Sequence, residues 1–477
     1  MLILLLSLPQ PASASDFGLT IQPKLSVDVA ADRPAEDTVE GYTWLRAWAS
    51  GDDGQLRWFI EGRGLYIGLI GEDTESVLLA ELGETGVSVP AGPAYIEAGH
   101  LIERWGRLDL LPIADILNGR DLRAGPLAPL AHSRLPTPMV TAELPWSWGR
   151  AELAWSPVPG TNRSSVQGTD WSLIRQGMID GLVSDLADWD TSALGSEAAQ
   201  SLAIAAADSL SSDDPWTRWQ QASTLSLTGM PPALGRGTDI ATRLSAQGAR
   251  VDASLIGGWL RGRQGTLIAS EELVSYLQQE RFPGLTDQAS LEATLSEPYT
   301  VLVPGGLVAG AEVGGSLGAM GLRAEGLWRQ EDLVTQQWLA ATTSPSLSLG
   351  VGLDYARGFW LLTAEGSWRH LQTEATELFL MAPDQYQIAA AVQGRLARER
   401  LSLQAGGVYD LTFQEFLVQP AATWRVSDQV EVGASALFLG DRRDTPQTFR
   451  EALTYTGGPL GYWDDNDCVN VQVSLIR

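Results

Sequence analysis

The chain has 477 residues and a formal net charge of −26, from 32 basic and 58 acidic side chains. This acidity excludes nucleic acid as a favoured partner, because the phosphates would be repelled. Cys468 is the only cysteine, which excludes an intrachain disulfide and a cysteine metal cluster.

The N-terminus is typical of a secretory signal peptide. Residues 2–6 form a short apolar core, and Ala12, Ser13 and Ala14 fit the small-residue cleavage pattern. A basic region is missing before the core, so a buried N-terminal strand is the alternative. We predict a signal peptide over residues 1–14, a periplasmic lead with little order over 15–40, and one transmembrane β-barrel over 41–477.

Strands are predicted at residues 42–50, 55–69, 77–82 and 94–107, and the last of these runs into an unusual stretch. Residues 103–123 combine a helical patch, turn residues and charges of both signs. They are too polar to face lipid and too regular for a plain linker. Because irregular backbone at membrane depth survives only where it lines a cavity or is buried in protein, we expect this stretch inside the barrel as a constriction or partial plug.

The same stretch carries a family resemblance. The motif consists of Trp105-Gly106, Asp115, Asn118 and Asp121-Leu122-Arg123, with Arg134-Leu135-Pro136 after it. It resembles a motif of a large uncharacterised family of porin-like outer-membrane proteins of Gram-negative bacteria, and more loosely the chain is similar to alginate-export barrels. The resemblance implies a porin-like outer-membrane β-barrel.

The middle of the chain alternates predicted hairpins with long loops. Strands are predicted at 137–146, 149–156, 219–228, 239–247, 250–261, 307–317, 321–329, 346–355 and 359–369. Helix-compatible stretches at 182–189 and 197–210 predict an extracellular loop with one or two helices. A second long loop, 264–300, is predicted to carry a short helix at 271–279.

Residues 386–439 give the strongest signal, since they form four runs of near-strict apolar and polar alternation. Runs of about ten residues are typical of tilted strands that cross a bilayer. Aromatic residues near the run ends, on the apolar face, predict interfacial girdles: Tyr386, Tyr409, Phe416, Trp424 and Phe438. A soluble β-sandwich is the alternative. We predict an all-β, closed antiparallel transmembrane β-barrel of about 16 strands, with 18 as the alternative, located in the bacterial outer membrane.

Charged residues at inward positions are the candidate pore residues. The wall set is Arg323, Arg369, Arg395, Arg425, Glu365 and Glu415, and the constriction set is Arg104, Asp115, Arg120, Asp121 and Arg123. Opposed charged walls would screen solutes by their field. The alternatives are that wall charges pair between neighbouring strands, and that the constriction set is a capping network that pins the segment.

The sequence favours a channel for passive or weakly selective passage of small solutes. A non-transporting structural or adhesive barrel with a plugged lumen is the second interpretation, and a hydrolase barrel is the third. His100, His132 and His370 lack a defensible Ser/His/Asp context, so no enzyme activity is expected. No metal or cofactor is expected. Expected partners are outer-membrane lipid and a small solute, with a homo-oligomer left open.

Overall fold

The fold comes from a computed structural model that describes residues 14–28, 39–52, 54–70, 75–122, 125, 133–160, 162–163, 238–264, 266–269, 274–275, 278, 299–443, 445–446 and 448–476. Its strands in chain order are β1 (Ala14–Asp28), β2 (Val39–Asp52), β3 (Arg57–Ile70), β4 (Glu75–Ala91), β5 (Ala94–Leu101), β6 (Thr137–Trp146), β7 (Gly149–Ser156), β8 (Asp239–Gln247), β9 (Val251–Arg261), β10 (Thr266–Ala269), β11 (Tyr299–Leu302), β12 (Gly305–Leu317), β13 (Met320–Thr335), β14 (Ala341–Arg357), β15 (Trp360–Leu371), β16 (Asp384–Leu396), β17 (Leu401–Asp410), β18 (Glu415–Ser427), β19 (Val430–Gly440) and β20 (Cys468–Ile476). The described helices are a 3-10 turn (Gln337–Leu339), α1 (Phe449–Thr454) and α2 (Pro459–Tyr462).

Eighteen of these strands form one closed antiparallel barrel. Each strand pairs with its neighbour in chain order, β9 pairs with β12, and β20 pairs with β1 to close the ring. The short strands β10 and β11 pair only with each other. Closure matters physically, because it leaves no unpaired sheet edge exposed to hydrocarbon.

The two ends of the barrel differ in their connections. One end carries short turns at residues 53–56, 92–93, 147–148, 248–250, 318–319, 358–359, 397–400 and 428–429. The other end carries the long connections 102–136, 157–238, 262–304 and 441–467. Short periplasmic turns and long extracellular loops are the pattern of outer-membrane barrels. We therefore name these ends the turn end and the loop end.

Burial along the strands is the reverse of that in a soluble protein. On β9, the outward Leu255 is 64% exposed and Trp259 is 46% exposed, whereas the inward Ser254 is only 2% exposed. On β13, the outward Leu322 is 53% exposed while the inward Glu325 is 4% exposed. The apolar face therefore lies outside and the polar face lines the interior, as expected when hydrocarbon surrounds the barrel. None of the described helices has the length or apolar character needed to cross a membrane.

Aromatic side chains form two belts on the outer surface. Trp360 and Trp424 lie towards the turn end, and Tyr386 and Phe416 towards the loop end. On β15, the eight positions from Trp360 to Trp368 span roughly 26 Å along the strand. Because strands of such barrels tilt by about 35–45°, this length corresponds to roughly 20 Å across the bilayer, which agrees with one aromatic belt near each edge of the apolar band, as predicted.

An outward charge in this band should be strongly destabilising. We expect Leu255→Arg, near the middle of β9, to lower the free energy of unfolding in lipid vesicles by about 2–4 kcal/mol. Urea titration followed by tryptophan fluorescence measures the effect. Gln404→Arg is the control, because Gln404 is exposed on the inner face. Equal stabilities of the two variants would contradict the assignment of the faces.

Three sequence predictions need correction or qualification. The barrel has 18 strands, which was the alternative to 16. Residues 15–28 are not a disordered lead, because Ala14–Asp28 forms β1 and pairs with both β2 and β20. Apolar and polar residues alternate there from Phe17 to Val27, but the overall polarity of residues 15–40 concealed the pattern. Residues 1–13, the strand at 219–228 and the helices at 182–189 and 197–210 lie outside the described residues.

Candidate functional site

Residues 103–122, the described part of the stretch 103–123 and named here the lumen segment, lie against the inner wall of the barrel. One face of the segment is apolar and buried, and consists of Trp105, Leu108, Ala114, Ile116 and Leu117. It packs on inward apolar side chains of the wall, namely Leu101, Met139, Ala154, Ala241, Ile256, Leu260, Val308 and Leu327. The hydrophobic effect therefore holds the segment inside the barrel although its sequence is polar overall.

Three wall carboxylates bind the backbone of the segment. Glu325 accepts hydrogen bonds from the N–H groups of Arg107, Leu108 (2.6 Å), Ile113 (3.1 Å) and Ala114 (2.9 Å). Glu365 accepts from Asp109 (2.8 Å), Leu110 (2.9 Å) and Leu111 (2.8 Å), and Glu312 accepts from Gly106 (2.9 Å). Eight N–H groups are thus satisfied by charged acceptors, which form stronger hydrogen bonds than neutral ones.

The predicted helical patch in this segment is wrong. Residues 102–122 contain no helix, and their backbone is irregular. Pro112 interrupts the stretch and lacks an N–H group. The neighbouring N–H groups bind wall glutamates instead of carbonyls one turn away, so the chain needs no helix to satisfy its backbone.

The root of the segment is fixed by a separate polar network. The buried Asn118 amide accepts from Glu103 N (2.8 Å) and donates to the carbonyl groups of Leu101 (2.8 Å) and Leu135 (3.0 Å). The Asp115 side chain is 4% exposed and pairs with Arg134 (2.7 Å) and Arg120 (3.2 Å). These contacts tie the segment to the strands on either side of it.

The tip of the segment reaches β14 and β15. Arg323 binds Asp109 (2.5 Å), Asp354 (2.8 Å) and Glu365 (3.2 Å) together. Leu108 and Ile113 lie over Gly350, where an added Cβ would come within 2.5 Å and 2.6 Å of their side chains. The absence of a side chain at Gly350 thus creates the space that receives the tip. From β5 to β15, the segment covers about half of the inner circumference.

The structure places the constriction set in different surroundings. Arg104 is exposed on the segment, and the Arg120 side chain is 40% exposed while bound to Asp115. Asp115 is enclosed by its ion pairs, which is the capping arrangement named above as the alternative. Asp121 forms a backbone bridge to Arg163, and Arg123 lies outside the described residues.

The residues of the wall set also differ in their surroundings. Glu365 and Arg323 hold the lumen segment, so their charges do not face the free lumen as the sequence had suggested. Arg369 pairs with Asp332 at 2.9 Å near the loop end. Arg425 pairs with Glu431 at 2.9 Å, and both Arg425 and Arg395 are exposed near the turn end.

Glu415, at the start of β18, binds a second structure at the loop end, the described part of residues 441–467, named here the mouth cap. The Glu415 carboxylate is fully buried and accepts from Gly458 N (2.5 Å) and Leu460 N (3.0 Å). Tyr462 of the cap is also fully buried, and its ring meets Tyr455 edge-on at 5.3 Å. The cap packs on the inner face of β18, β19 and β20 through Leu460 and Trp463.

The arc β16–β20 is left uncovered by the lumen segment and has a neutral inner face. Its inward residues, between the charged positions at either end, are Gln387, Ala389, Ala391, Gln393, Ser402, Gln404, Gly406, Val408, Leu417, Gln419, Ala421, Thr423, Gly433, Ser435, Leu437, Leu439, Cys468, Asn470, Gln472 and Ser474. Charged side chains flank this stretch at both ends of the barrel. Asp410 and Glu415 lie towards the loop end, and Arg395, Arg425 and Glu431 lie towards the turn end. The inner face is therefore charged where the segment covers it and neutral over the middle of β16–β20, whereas the remaining arc β1–β4 again carries inward charges at Lys24, Glu61 and Arg63.

Glu103 gives the segment a pH dependence. Burial, together with the nearby carboxylates of Glu97 and Glu152, raises the pKa of Glu103 to about 7. The folded state then binds the proton of Glu103 more tightly than the unfolded chain does, in which the pKa of this carboxyl is 4.5. Packing of the segment should accordingly be strongest at low pH and weaken as the pH rises from 4.5 to about 7.

We expect trypsin to cleave the segment after Arg104 or Arg107 faster at pH 8 than at pH 5.5, after correction for the protease's own pH dependence on an unfolded substrate. Glu103→Gln should remove most of this difference, because a neutral amide cannot titrate. A variant that retains the full pH effect would show that another group is responsible.

Two of the glutamates that hold the segment, Glu312 and Glu325, are not among the pore residues predicted from the sequence. The sequence does contain a signal for the packing of the segment, since Ile256, Leu260 and Leu327 are large apolar residues at inward positions. Such breaks in alternation indicate that something packs inside the barrel. Among the described residues no group of three His, Cys, Asp or Glu side chains is placed to hold a metal ion.

The histidines form ordinary local contacts where they are described. His100 Nδ1 lies 3.2 Å from the carbonyl oxygen of Gly83, and His370 Nδ1 lies 2.9 Å from Asp384. His132 lies outside the described residues. Both contacts are with neighbouring strands and involve no Ser or Thr nucleophile.

Comparison with known proteins finds similarity at the level of the fold. No protein-family model matches the sequence, and no curated protein matches it. The outer membrane protein OpdK from Pseudomonas aeruginosa has a TM-score of 0.49 at 6% identity, over 97% of this chain and 99% of that chain. OccK5 (OpdH) from Pseudomonas aeruginosa has a TM-score of 0.47 at 7% identity, over 97% of each chain. OmpF of Salmonella typhi, in complex with daunomycin, has a TM-score of 0.40 at 10% identity, over 98% of each chain.

The closed ring, the apolar exterior and the asymmetry of the two ends define the class of protein. Only helices and closed barrels satisfy all backbone groups in hydrocarbon, and barrels of this kind belong to outer membranes. The molecule is an 18-stranded transmembrane β-barrel of the bacterial outer membrane.

Proposed function

We propose that the protein is a channel that lets small solutes cross the outer membrane by passive or weakly selective diffusion. The observation that carries the proposal is the division of the lumen into two halves. The lumen segment lies along the nine strands from β5 to β15 and leaves the other nine uncovered, among which β16–β20 keep a polar, partly exposed inner face. A fixed obstruction on one side of a wide barrel narrows a pore without closing it.

The fixed charges of the constriction would then come from a few exposed side chains. Arg104 and Arg120 on the segment, with Arg395 and Arg425 on the wall, are the exposed cations of the predicted sets. Asp115, Glu365 and Glu415 act as positioning residues in this proposal, because their carboxylates bind the segment or the cap. Asp121 and Arg123 stay candidates for the constriction.

A non-transporting barrel is the second candidate, and the mouth cap favours it. Tyr462 is buried among Phe379, Tyr455 and Trp463, so the cap is packed like a protein core. A cap that extended across the mouth would leave the long loops as the working part of a structural or adhesive protein. The looser similarity to alginate-export barrels and the formation of a homo-oligomer also remain proposals.

Conductance in planar bilayers separates the two candidates. Purified, heat-modifiable protein should give discrete steps of ion current in 1 M KCl if the open half-lumen is continuous. Silence from folded protein would favour the plugged barrel and overturn the channel. Chemical cross-linking in the same detergent would report whether the active species is a monomer or an oligomer.

A further inference from the structure

The open side of the lumen has a chemistry that the charged side lacks. Gln393, Gln404 and Gln419 project from three adjacent strands into the space that the lumen segment leaves free. Gln393 and Gln404 are directly paired across β16 and β17. Gln419 pairs with Gly406, two residues along from Gln404, so it lies at the diagonal distance of roughly 7–8 Å. We name these three side chains the amide cluster.

The amide cluster is available to a solute. Gln404 is exposed, and Gln393 and Gln419 are partly exposed. No described residue forms a hydrogen bond with any of the three side chains, whereas the nearby Gln387 donates to Asp410 (3.0 Å). Each free amide offers two donors and one acceptor oxygen with two lone pairs.

Small side chains surround the cluster and keep the wall recessed. Ala391 pairs with Gly406, and Ala421 pairs with both Gln404 and Ser435. An added Cβ at Gly406 would lie 3.5 Å from the Ala391 Cβ, so the backbones leave little bulk between the amides. A solute can therefore lie along the wall and meet amides and hydroxyls in succession.

We propose, building on the proposed channel function, that this face is a track for neutral polyhydroxylated solutes such as sugars and polyols. A hydroxyl is both a donor and an acceptor, and an amide complements both roles at once. A neutral wall does not retain counterions that would compete for the same positions. Each amide–hydroxyl hydrogen bond replaces one made to water and is therefore weak in net terms, so a solute can leave each position and move on.

Liposome swelling with matched solutes tests the proposal. Proteoliposomes should admit glucose faster than gluconate, which has similar size but carries a carboxylate. The variant Gln393→Leu/Gln404→Leu/Gln419→Leu should slow glucose entry several-fold, while the single-channel KCl current changes much less. Gln429→Leu is the matched control, because Gln429 lies in the exposed turn 428–429 at the barrel end and its replacement should change neither rate.

A second triple variant distinguishes the loss of the amide groups from a loss of folding. Gln393→Glu/Gln404→Glu/Gln419→Glu keeps the side-chain size and should make the channel more cation-selective while slowing gluconate further. Heat-modifiable gel mobility verifies folding of both variants. Equal glucose entry in wild type and the leucine variant, or faster gluconate than glucose in wild type, would overturn the track. If neither solute enters and no current flows, the channel function itself fails, which is a distinguishable result.

Discussion

Glu325→Gln should release the tip of the lumen segment and give larger conductance steps with more current noise. The carboxylate of Glu325 binds four backbone N–H groups, two on each oxygen. An amide of the same shape keeps one acceptor oxygen and turns an NH2 group towards the other pair. Leaving two buried N–H groups without an acceptor costs about 2–6 kcal/mol, so the released state should rise by at least an order of magnitude.

Glu431→Gln is the control for this variant. Glu431 is also an inward carboxylate, but it pairs with the exposed Arg425 at the turn end and does not touch the segment. Exposed ion pairs contribute little to stability, so its conductance steps should match those of wild type apart from a small change in ion selectivity. Identical steps in Glu325→Gln and wild type would show that the segment does not limit the current.

Gly350→Leu should expel the same tip by steric means. A side chain at Gly350 would overlap the Cδ1 atoms of Leu108 and Ile113, and Gly352 meets Leu108 in the same way. Overpacking of this kind typically costs about 1–3 kcal/mol, and the segment can yield more easily than the barrel wall. We expect faster tryptic cleavage after Arg107 and larger current steps, in the same direction as for Glu325→Gln.

Gly366→Leu provides a matched comparison on the adjacent strand. Gly366 faces outward, and an added Cβ there would meet only the carbonyl oxygen of Gln387 at 3.9 Å. A leucine at that position adds apolar surface in contact with lipid and leaves the lumen unchanged. If Gly366→Leu altered the current as much as Gly350→Leu did, the effect would belong to the wall and not to the segment.

Glu325→Gln and Gly350→Leu test different interactions of the lumen segment. Glu325→Gln removes polar anchoring and leaves the apolar contact with Trp105, Ile116 and Leu117 in place. Gly350→Leu removes space and leaves the hydrogen-bond acceptors in place. Similar conductance from both would indicate a tip that moves as a unit, while the root stays held by Asn118 and Asp115.

The sequence by itself determined which side of each strand faces lipid. Side chains alternate with a period of two, so a run such as residues 401–411 assigns every position to one face once the apolar face is known. The same rule predicted the aromatic belts at Tyr386, Phe416, Trp424 and Phe438. The same alternation is present in β1, where Phe17, Leu19, Ile21, Leu25 and Val27 alternate with polar residues, but the prediction of a lead over 15–40 rested on overall polarity and missed this strand.

The tertiary structure alone decided which inward charges remain available to a solute. Glu325 on β13 and Arg107 in the lumen segment are 218 residues apart in the sequence, and they come together only in the folded barrel. A carboxylate on the inner face looks the same in the sequence whether it meets water, an arginine or a row of backbone N–H groups. A local pattern specifies the direction in which a side chain points, but it does not specify a distant contact. The sequence therefore predicted a segment inside the barrel. Only the folded structure decided that Glu365 and Asp115 hold this segment while the glutamines stay free.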